Sequence, residues 1–315
     1  MEPFRICVSI DIGTNSVLLL VAQLIDARVK VLHEEQEVPR LGKGVDRDKN
    51  LHPESQNRVI KVLKQYRNFL RENYPDTVKH TIVTATSAVR DSSNREEFLN
   101  RIQNETGWSV RLLSGDEEAR TTYSGAVSVL EQNSGQFTVL DIGGGSTEIA
   151  MGVESQFNNG ISLDMGSVRF SERFLKHDPP LENEIDLARK EIYNVLMSNR
   201  LETIPKNLIA VAGTVTSLAA ILLGLSSYQA DKVNGFVLER SKVSEFIRQF
   251  TKMTSGEIEE KYSPFLKGRG DVITGGILIL EEFMKFYDFT ELIVSTGGIR
   301  HGILLEDKKR RSTER

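Results

Sequence analysis

Two short stretches of the chain each place an aspartate before a glycine-rich turn: Asp11-Ile12-Gly13-Thr14-Asn15-Ser16 and Asp141-Ile142-Gly143-Gly144-Gly145-Ser146-Thr147. A turn between strands gathers backbone N–H groups around a concavity, and glycine lets an anion approach the main chain closely. An aspartate closing the preceding strand can hold a hard cation such as Mg2+, directly or through water. A single such turn is more often a plain hairpin, but two copies in register point to duplication around a phosphate-binding function. Glu148 follows Asp141 by seven residues. Across a tight turn these carboxylates can face one site, as a metal pair requires; the alternative is a surface glutamate on an edge strand.

A third constellation is Ser114-Gly115-Asp116-Glu117-Glu118-Ala119-Arg120. Ser114 and Glu117 have capping-box spacing, which gives Glu117 a structural task. Glu118 sits in the first helical turn, where the helix dipole favours its ionised form. Such a carboxylate can accept a proton from water attacking a phosphoryl group, or can simply complement the dipole. Four arginines occupy loop-like places: Arg40, Arg90, Arg169 and Arg300. The planar guanidinium fork suits two phosphate oxygens at once, although each could also be a solvated charge. Ala212-Gly213-Thr214 and Thr296-Gly297-Gly298 each close a strand and open a helix, a usual place for anion contacts. Candidate substrate contacts thus include Asp11, Gly13, Thr14, Gly213, Thr214, Gly297 and Gly298.

Other chemistries find little support. The three glycines at 143–145 precede a strand rather than a helix, so they are no dinucleotide fingerprint, and Gly42-Lys43-Gly44 lacks the rest of a Walker A motif. The five histidines show no metal-ligand spacing, and His177-Asp178, ahead of Pro179-Pro180, reads as a loop. No nucleophile elbow or triad pattern is present.

The elements that must position these residues alternate. Strands are expected at Phe4–Ile10, Val17–Ile25 and Val29–Val38, with Asp26-Ala27 as a hairpin connection. A helix follows over Pro53–Asn73, then a strand at His80–Thr84. A second helix starts at a capping box, Ser93-Asn94-Arg95-Glu96, and is stopped by Gly107. A strand at Trp108–Leu113 and a helix after Gly115 complete the first half. The second half repeats the opening with strands at Phe137–Leu140, Glu148–Val153 and Phe157–Leu163. Helices at Ser167–Leu175 and Glu182–Met197, strand Leu208–Val211, helix Val215–Leu223, a helical insertion over Lys242–Phe286, strand Leu292–Val294 and a helix from Gly298 follow. Tyr123–Ser134 is the crossover. This order predicts two α/β layers with mixed sheets.

With 315 residues the chain suggests about two domains. Its apolar fraction of 39%, charged fraction of 27% and net charge of −4 are those of a soluble globular protein without a global field for nucleic acid or membrane. The basic run Lys308-Lys309-Arg310-Arg311 reads as a solvated terminus. A single cysteine, Cys7, excludes an internal disulfide and fits a reducing compartment. Asp11 interrupts the first apolar run, so no signal peptide is expected, and Val17–Ala22 is too short to span a bilayer. A cytoplasmic location is expected.

In chain order, the segments Asp11–Ser16, Arg40–Gly44, Thr84–Arg90, Ser114–Arg120, Asp141–Glu148, Met165–Arg169, Ala212–Thr214 and Thr296–Gly302 resemble the motifs of the exopolyphosphatase / guanosine pentaphosphate phosphohydrolase (Ppx/GppA) family. The resemblance covers residues 4–306. It implies the actin / Hsp70 / sugar-kinase fold: two duplicated ribonuclease-H-like α/β domains with mixed sheets facing a central cleft. The division expected here is 1–125 and 126–315, the last helix being free to pack back on the first domain. Glu118 then corresponds to the family's catalytic base, Arg90 to a phosphate-binding arginine, and Asp141 and Glu148 to residues holding Mg2+ or another divalent cation. Asn15, Ser16, Gly143, Gly144, Gly145, Ser146 and Thr147 correspond to its phosphate loops, with Arg40, Arg169 and Arg300 as further anion contacts. The implied substrates are inorganic polyphosphate and guanosine pentaphosphate, and dimerisation is common in the family. Longer members add a C-terminal His-Asp-type helical domain that this chain does not contain, so low processivity on long polymers is expected. A kinase or ATPase of the same superfamily, and a non-catalytic alarmone-binding or actin-like protein, are the competing readings.

Overall fold

The structure, a computed structural model, describes residues 6–25, 28–131 and 134–313. The expected connection at Asp26-Ala27, and the Phe4-Arg5 start of the first strand, lie outside the described residues. In chain order the elements are β1 (Ile6–Ile12), β2 (Val17–Ile25), β3 (Arg28–Glu37), α1 (Val45–Asp48), α2 (Pro53–Asn73), β4 (Ile82–Ala85), α3 (Ser87–Arg90), α4 (Arg95–Thr106), β5 (Val110–Leu112) and α5 (Gly115–Ser128). Then come β6 (Gln136–Ile142), β7 (Thr147–Val153), β8 (Gln156–Leu163), α6 (Ser167–Phe174), α7 (Glu182–Ser198), β9 (Asn207–Val211) and α8 (Ala212–Leu222). The remainder is α9 (Ala230–Val233), β10 (Val237–Glu239), α10 (Arg240–Phe250), α11 (Ser255–Lys261), α12 (Gly270–Phe286), β11 (Glu291–Val294) and α13 (Ile299–Thr313). A 3-10 turn over Pro75–His80 precedes β4.

The chain forms two compact units, residues 1–129 with 297–315, and residues 130–296. The first unit thus extends four residues past position 125, and α13 belongs to it. Its sheet has the order β3-β2-β1-β4-β5, and the second unit's sheet the order β10-β11-β9-β6-β7-β8. Both are mixed: β1, β4 and β5 run parallel, as do β6, β9 and β11, while each leading meander is antiparallel. The fold is therefore α/β with two mixed sheets.

The duplication holds at the level of register. Asp11 and Asp141, Gly13 and Gly143, and Ser16 and Ser146 are each 130 residues apart. Both second strands also break register at the same point of the repeat, between Val21 and Ala22 and between Met151 and Gly152. A one-residue slip in one copy alone would put its side chains on the wrong face, so the shared bulge keeps both hairpins aimed alike.

Strand alternation sorts the side chains. Val8, Ile10 and Ile12 of β1 pack with Val17, Leu19 and Val21 of β2 under α2 and α4. Residues of the other parity face α13, where Leu20 and Ala22 meet Ile303 and Leu304. Asp11 shares that parity. In the second unit Leu140, Ile142 and Ile149 enter the core beneath α7 and α12, which leaves Asp141 and Glu148 on the opposite face.

One expected cap is corrected. The N-cap of α4 is Asn94, not Ser93, and its side chain does not cap the helix. Its Oδ1 accepts from Leu51 N (2.9 Å) and its Nδ2 donates to Leu51 O (3.0 Å), so it fastens the loop before α2 instead. The capping box of Ser114 and Glu117 forms as expected, and Gly107 ends α4 at φ 75°.

Candidate active site

Ligands of open α/β sheets gather outside the carboxyl ends of the parallel strands. In the first unit those ends carry the turn after β1, the Thr86–Arg90 segment after β4 and the Ser114–Glu118 segment after β5. In the second they carry the turn after β6, Ala212–Thr214 after β9 and the segment after β11.

Each glycine turn is braced from one side. In the first, Gly13 N donates to Ser16 O (2.9 Å), Gly42 N to Thr14 O (2.7 Å) and Arg40 N to Asn15 O (2.9 Å). A peptide's C=O and N–H point in opposite directions. The bonds on Thr14 O and Asn15 O therefore turn the amides of Asn15 and Ser16 away from the 40–42 segment. Gly42 has no room for a side chain, because a Cβ there would lie 2.2 Å from Thr14 Cγ2. Thr14 Oγ1 also shares a hydrogen bond with Ser87 Oγ (2.9 Å). Arg40 takes φ 57° to make this approach, so its backbone has a bracing role.

The second turn is built alike with a different brace. Ser167 N donates to Gly143 O (2.9 Å), Val168 N to Gly144 O (2.9 Å) and Arg169 Nε to Gly145 O (2.6 Å). The amides of Gly144, Gly145 and Ser146 consequently face away from α6. A Cβ on Gly166 would come within 2.5 Å of Gly144, which explains this close approach. Thr147 Oγ1 donates to Met165 O and ties the outgoing strand to the same brace. Arg169, expected as an anion contact, is buried behind the turn and holds it; its Nη2 lies 3.7 Å from Asp164.

The two aspartates differ in their neighbours across the sheet. Asp11 stands opposite Leu18 and beside Thr84, whose Oγ1 donates to Asp11 Oδ1 (3.0 Å). Asp141 stands opposite Glu148 and beside Val211. Asp141 is 8% exposed and Glu148 1%, with both side chains on one sheet face. Two buried carboxylates form an all-oxygen donor set, which suits a hard divalent cation rather than a soft one.

Burial pushes the Asp11 carboxyl up from 3.8 to about 6, against the opposing pull of the Thr84 hydrogen bond and the Arg300 charge. The folded pKa lies above the unfolded one, so this group's contribution to stability is complete below pH 3.8 and is lost as pH rises through about 6. Above that, folding buries a charge at a cost of about 3 kcal/mol. Asp11→Asn is therefore expected to raise Tm by several degrees relative to wild type at pH 8, with the gain vanishing near pH 4. Melting curves across that range check this, and a pH-independent difference would refute it.

Glu118, 5% exposed, lies in the first turn of α5. Arg90 Nη1 donates to Glu118 Oε2 (2.8 Å) and to Leu113 O (3.0 Å). The guanidinium fixes the carboxylate in place, while Arg90 itself remains partly exposed. The two residues that sequence alone sets 28 positions apart are thus one ion pair.

Arg300 has partners within its own unit. Its Nη1 donates to Leu19 O (2.9 Å), its Nη2 lies 3.3 Å from Glu34, and its carbonyl accepts from Ser9 Oγ (2.9 Å). This fork stitches α13 to the sheet. Gly297 and Gly298 also serve packing: a Cβ on Gly297 would lie 2.2 Å from Gly125 O, and one on Gly125 would lie 2.0 Å from Gly298 O. His177 and Asp178 are loop fasteners, to Glu184 (2.8 Å) and to Ser255 N and Oγ (2.7 Å each).

Sequence reasoning did not single out Arg269. Its guanidinium lies over Gly213 at the start of α8, where a Cβ would meet Nη1 at 1.6 Å. Burial pulls this guanidinium down from its ordinary value. Gly213 is thus bare to admit an arginine, and Thr214 follows it on α8, at 2.6 Å from a Cβ built on Gly276. The signal in the sequence was Gly268-Arg269-Gly270, an arginine between two glycines inside the helical insertion.

The Ppx/GppA phosphatase family profile matches residues 20–311. Exopolyphosphatase 2 of Mycobacterium tuberculosis is 32% identical over 314 aligned positions, which take in 94% of this chain and 97% of that protein. The bifunctional 3-dehydroquinate synthase/phosphatase of Fusobacterium nucleatum is 32% identical over 95% of this chain, which spans only 46% of that longer protein. Among solved structures, the Aquifex aeolicus Ppx/GppA family member superposes with a TM-score of 0.81 at 30% identity, covering 98% of this chain and 99% of the other. An exopolyphosphatase of Cytophaga hutchinsonii gives 0.85 at 27%, covering 96% and 98%.

Proposed function

Because this chain belongs to the Ppx/GppA phosphatase family, we propose that it releases terminal phosphate from inorganic polyphosphate or guanosine pentaphosphate by attack of water. The observation that carries this reading is the Arg90–Glu118 pair, a buried carboxylate held by a guanidinium at the same sheet edge as a braced glycine turn. A kinase would turn the same carboxylate on an acceptor hydroxyl, so what favours water as the acceptor is membership of a phosphatase family.

In this mechanism the braced Asn15 and Ser16 amides of the first unit bind phosphoryl oxygens, and Arg90 adds charge to that grip. Glu118 accepts a proton from water as the water oxygen bonds to the terminal phosphorus. The bridging P–O bond breaks, its electron pair leaving with the shortened chain. Such a transition state is loose, so positioning and charge stabilisation carry most of the catalysis. Asp141 and Glu148 would hold Mg2+, which when bound supplies neutralisation of phosphoryl charge. Among the described residues no helix is long and apolar enough to cross a membrane, and we place the activity in the cytoplasm.

A phosphate-release assay on short polyphosphate, long polyphosphate, guanosine pentaphosphate and ATP, each with and without Mg2+, tests the reading. The expected result is metal-dependent release from polyphosphate or guanosine pentaphosphate with no acceptor present. Transfer from ATP to an acceptor would assign a kinase instead, and binding without turnover would assign a regulator.

A further inference from the structure

The row of side chains across each sheet continues past the two aspartates. In the first unit it reads Thr84, Asp11, Leu18, Gln36, and in the second Val211, Asp141, Glu148, Ser162. Both rows contain one short hydroxyl side chain, but at different places. Thr84 anchors Asp11, and the matching position beside Asp141 is an apolar valine. The second unit has its hydroxyl on β8, directly opposite Glu148, and Ser162 Oγ donates to Glu148 Oε1 at 2.7 Å. The hydroxyl has moved across the row to the strand beside the added carboxylate.

A carboxylate side chain has rotamer freedom that must be lost before it can ligate a cation well. A charge-assisted O–H···O bond at this distance fixes the plane of the Glu148 carboxylate. It engages only one of the roughly four lone-pair directions a carboxylate offers. Glu148 is buried, while Ser162 is half-buried on the edge strand, so the bond comes from outside the core and leaves the hydrophobic packing untouched.

We propose that Ser162 is a positioning residue for the divalent-cation site, holding Glu148 in the orientation in which it faces Asp141. This rests on the assignment of Asp141 and Glu148 as the metal carboxylates. It gives the edge strand β8, which carries none of the sequence-predicted site residues, a part in metal affinity.

The test uses the full-length protein without substrate and Mn2+ as the probe, with free ion read from its paramagnetic resonance signal. Ser162→Ala is expected to weaken Mn2+ binding about 10–100-fold, the usual scale for partners that orient a metal ligand. Ser162→Thr, which keeps the hydroxyl, is expected to restore most of it. Unchanged affinity in Ser162→Ala, alongside lost binding in Glu148→Gln, would overturn the role of Ser162 and leave the metal assignment standing. Normal binding in Glu148→Gln would overturn both. Equal losses in the Ala and Thr variants, with matching drops in melting temperature, would show a packing role and also sink the proposal.

Discussion

Glu118→Gln is expected to lower kcat for phosphate release by ~10²–10⁴-fold, the usual contribution of a positioned general base, while KM stays within a few-fold of wild type. The substitution is nearly isosteric, and the amide oxygen can still accept from Arg90 Nη1, which now donates to Glu118 Oε2 at 2.8 Å. What is lost is the capacity to take a proton. Single-turnover measurements with saturating substrate separate this from slow product release. Retention of more than a tenth of wild-type kcat would remove Glu118 from the role of base. Arg90→Ala should differ in kind, raising KM as well as lowering kcat, because Arg90 orients Glu118 and, in the proposed mechanism, also presents charge to the substrate.

Gly302→Ala carries the largest expected effect on stability. A Cβ at this position would lie 1.9 Å from Thr121 O and 2.8 Å from its carbonyl carbon. Both are backbone atoms, so no rotamer change relieves the clash, and α13 must move off α5. Overpacking of this kind costs about 1–3 kcal/mol or more, and for a unit of this size each kcal/mol lowers Tm by roughly 2–4 °C. A fall of about 6–12 °C is expected for a cost at the upper end of that range. Gly256→Ala is the matched control: nothing lies within 4 Å of its Cβ position, and it sits in a helix, so little change or a slight gain is expected. A Gly302→Ala protein melting within 2 °C of wild type would contradict this account of the contact, and scanning calorimetry gives the answer directly.

The parts of this molecule legible in its sequence are those decided by local chemistry. The Asp-x-Gly turns, the Ser114–Glu117 cap and the Gly107 stop are each written within a few residues, and each is present. Hydrophobic periodicity likewise gives α2 its observed range, Pro53–Asn73. What was not legible are side chains and glycines used by something distant in sequence: Asn94 bonds Leu51, Arg300 reaches Leu19 and Glu34, and a Cβ on Gly297 would meet Gly125. A glycine pair after a strand looks the same whether it admits a phosphate or another helix. Arg269 was hidden for the converse reason, since its partner Gly213 lies 56 residues earlier. The pairing of Glu118 with Arg90 shows the same limit, for both were noticed singly and only the fold joins them.

The discontinuity of the first unit has a bearing on how the protein is made. Residues 130–296 form the second unit without interruption, whereas the first needs 297–315 to be complete. At ~5–20 residues per second, a ribosome spends about 10–30 seconds on the intervening segment, long enough for it to close by itself. Throughout that time the groove beside Gly125, Leu20 and Ala22 awaits α13. The unit that holds Asp11 on β1 and Glu118 on α5 is thus completed last, by the helix whose Arg300 clasps Leu19. In a nascent chain, the first unit has all its residues only after the whole of the second has been made, which gives synthesis an order that the symmetry of the two halves conceals.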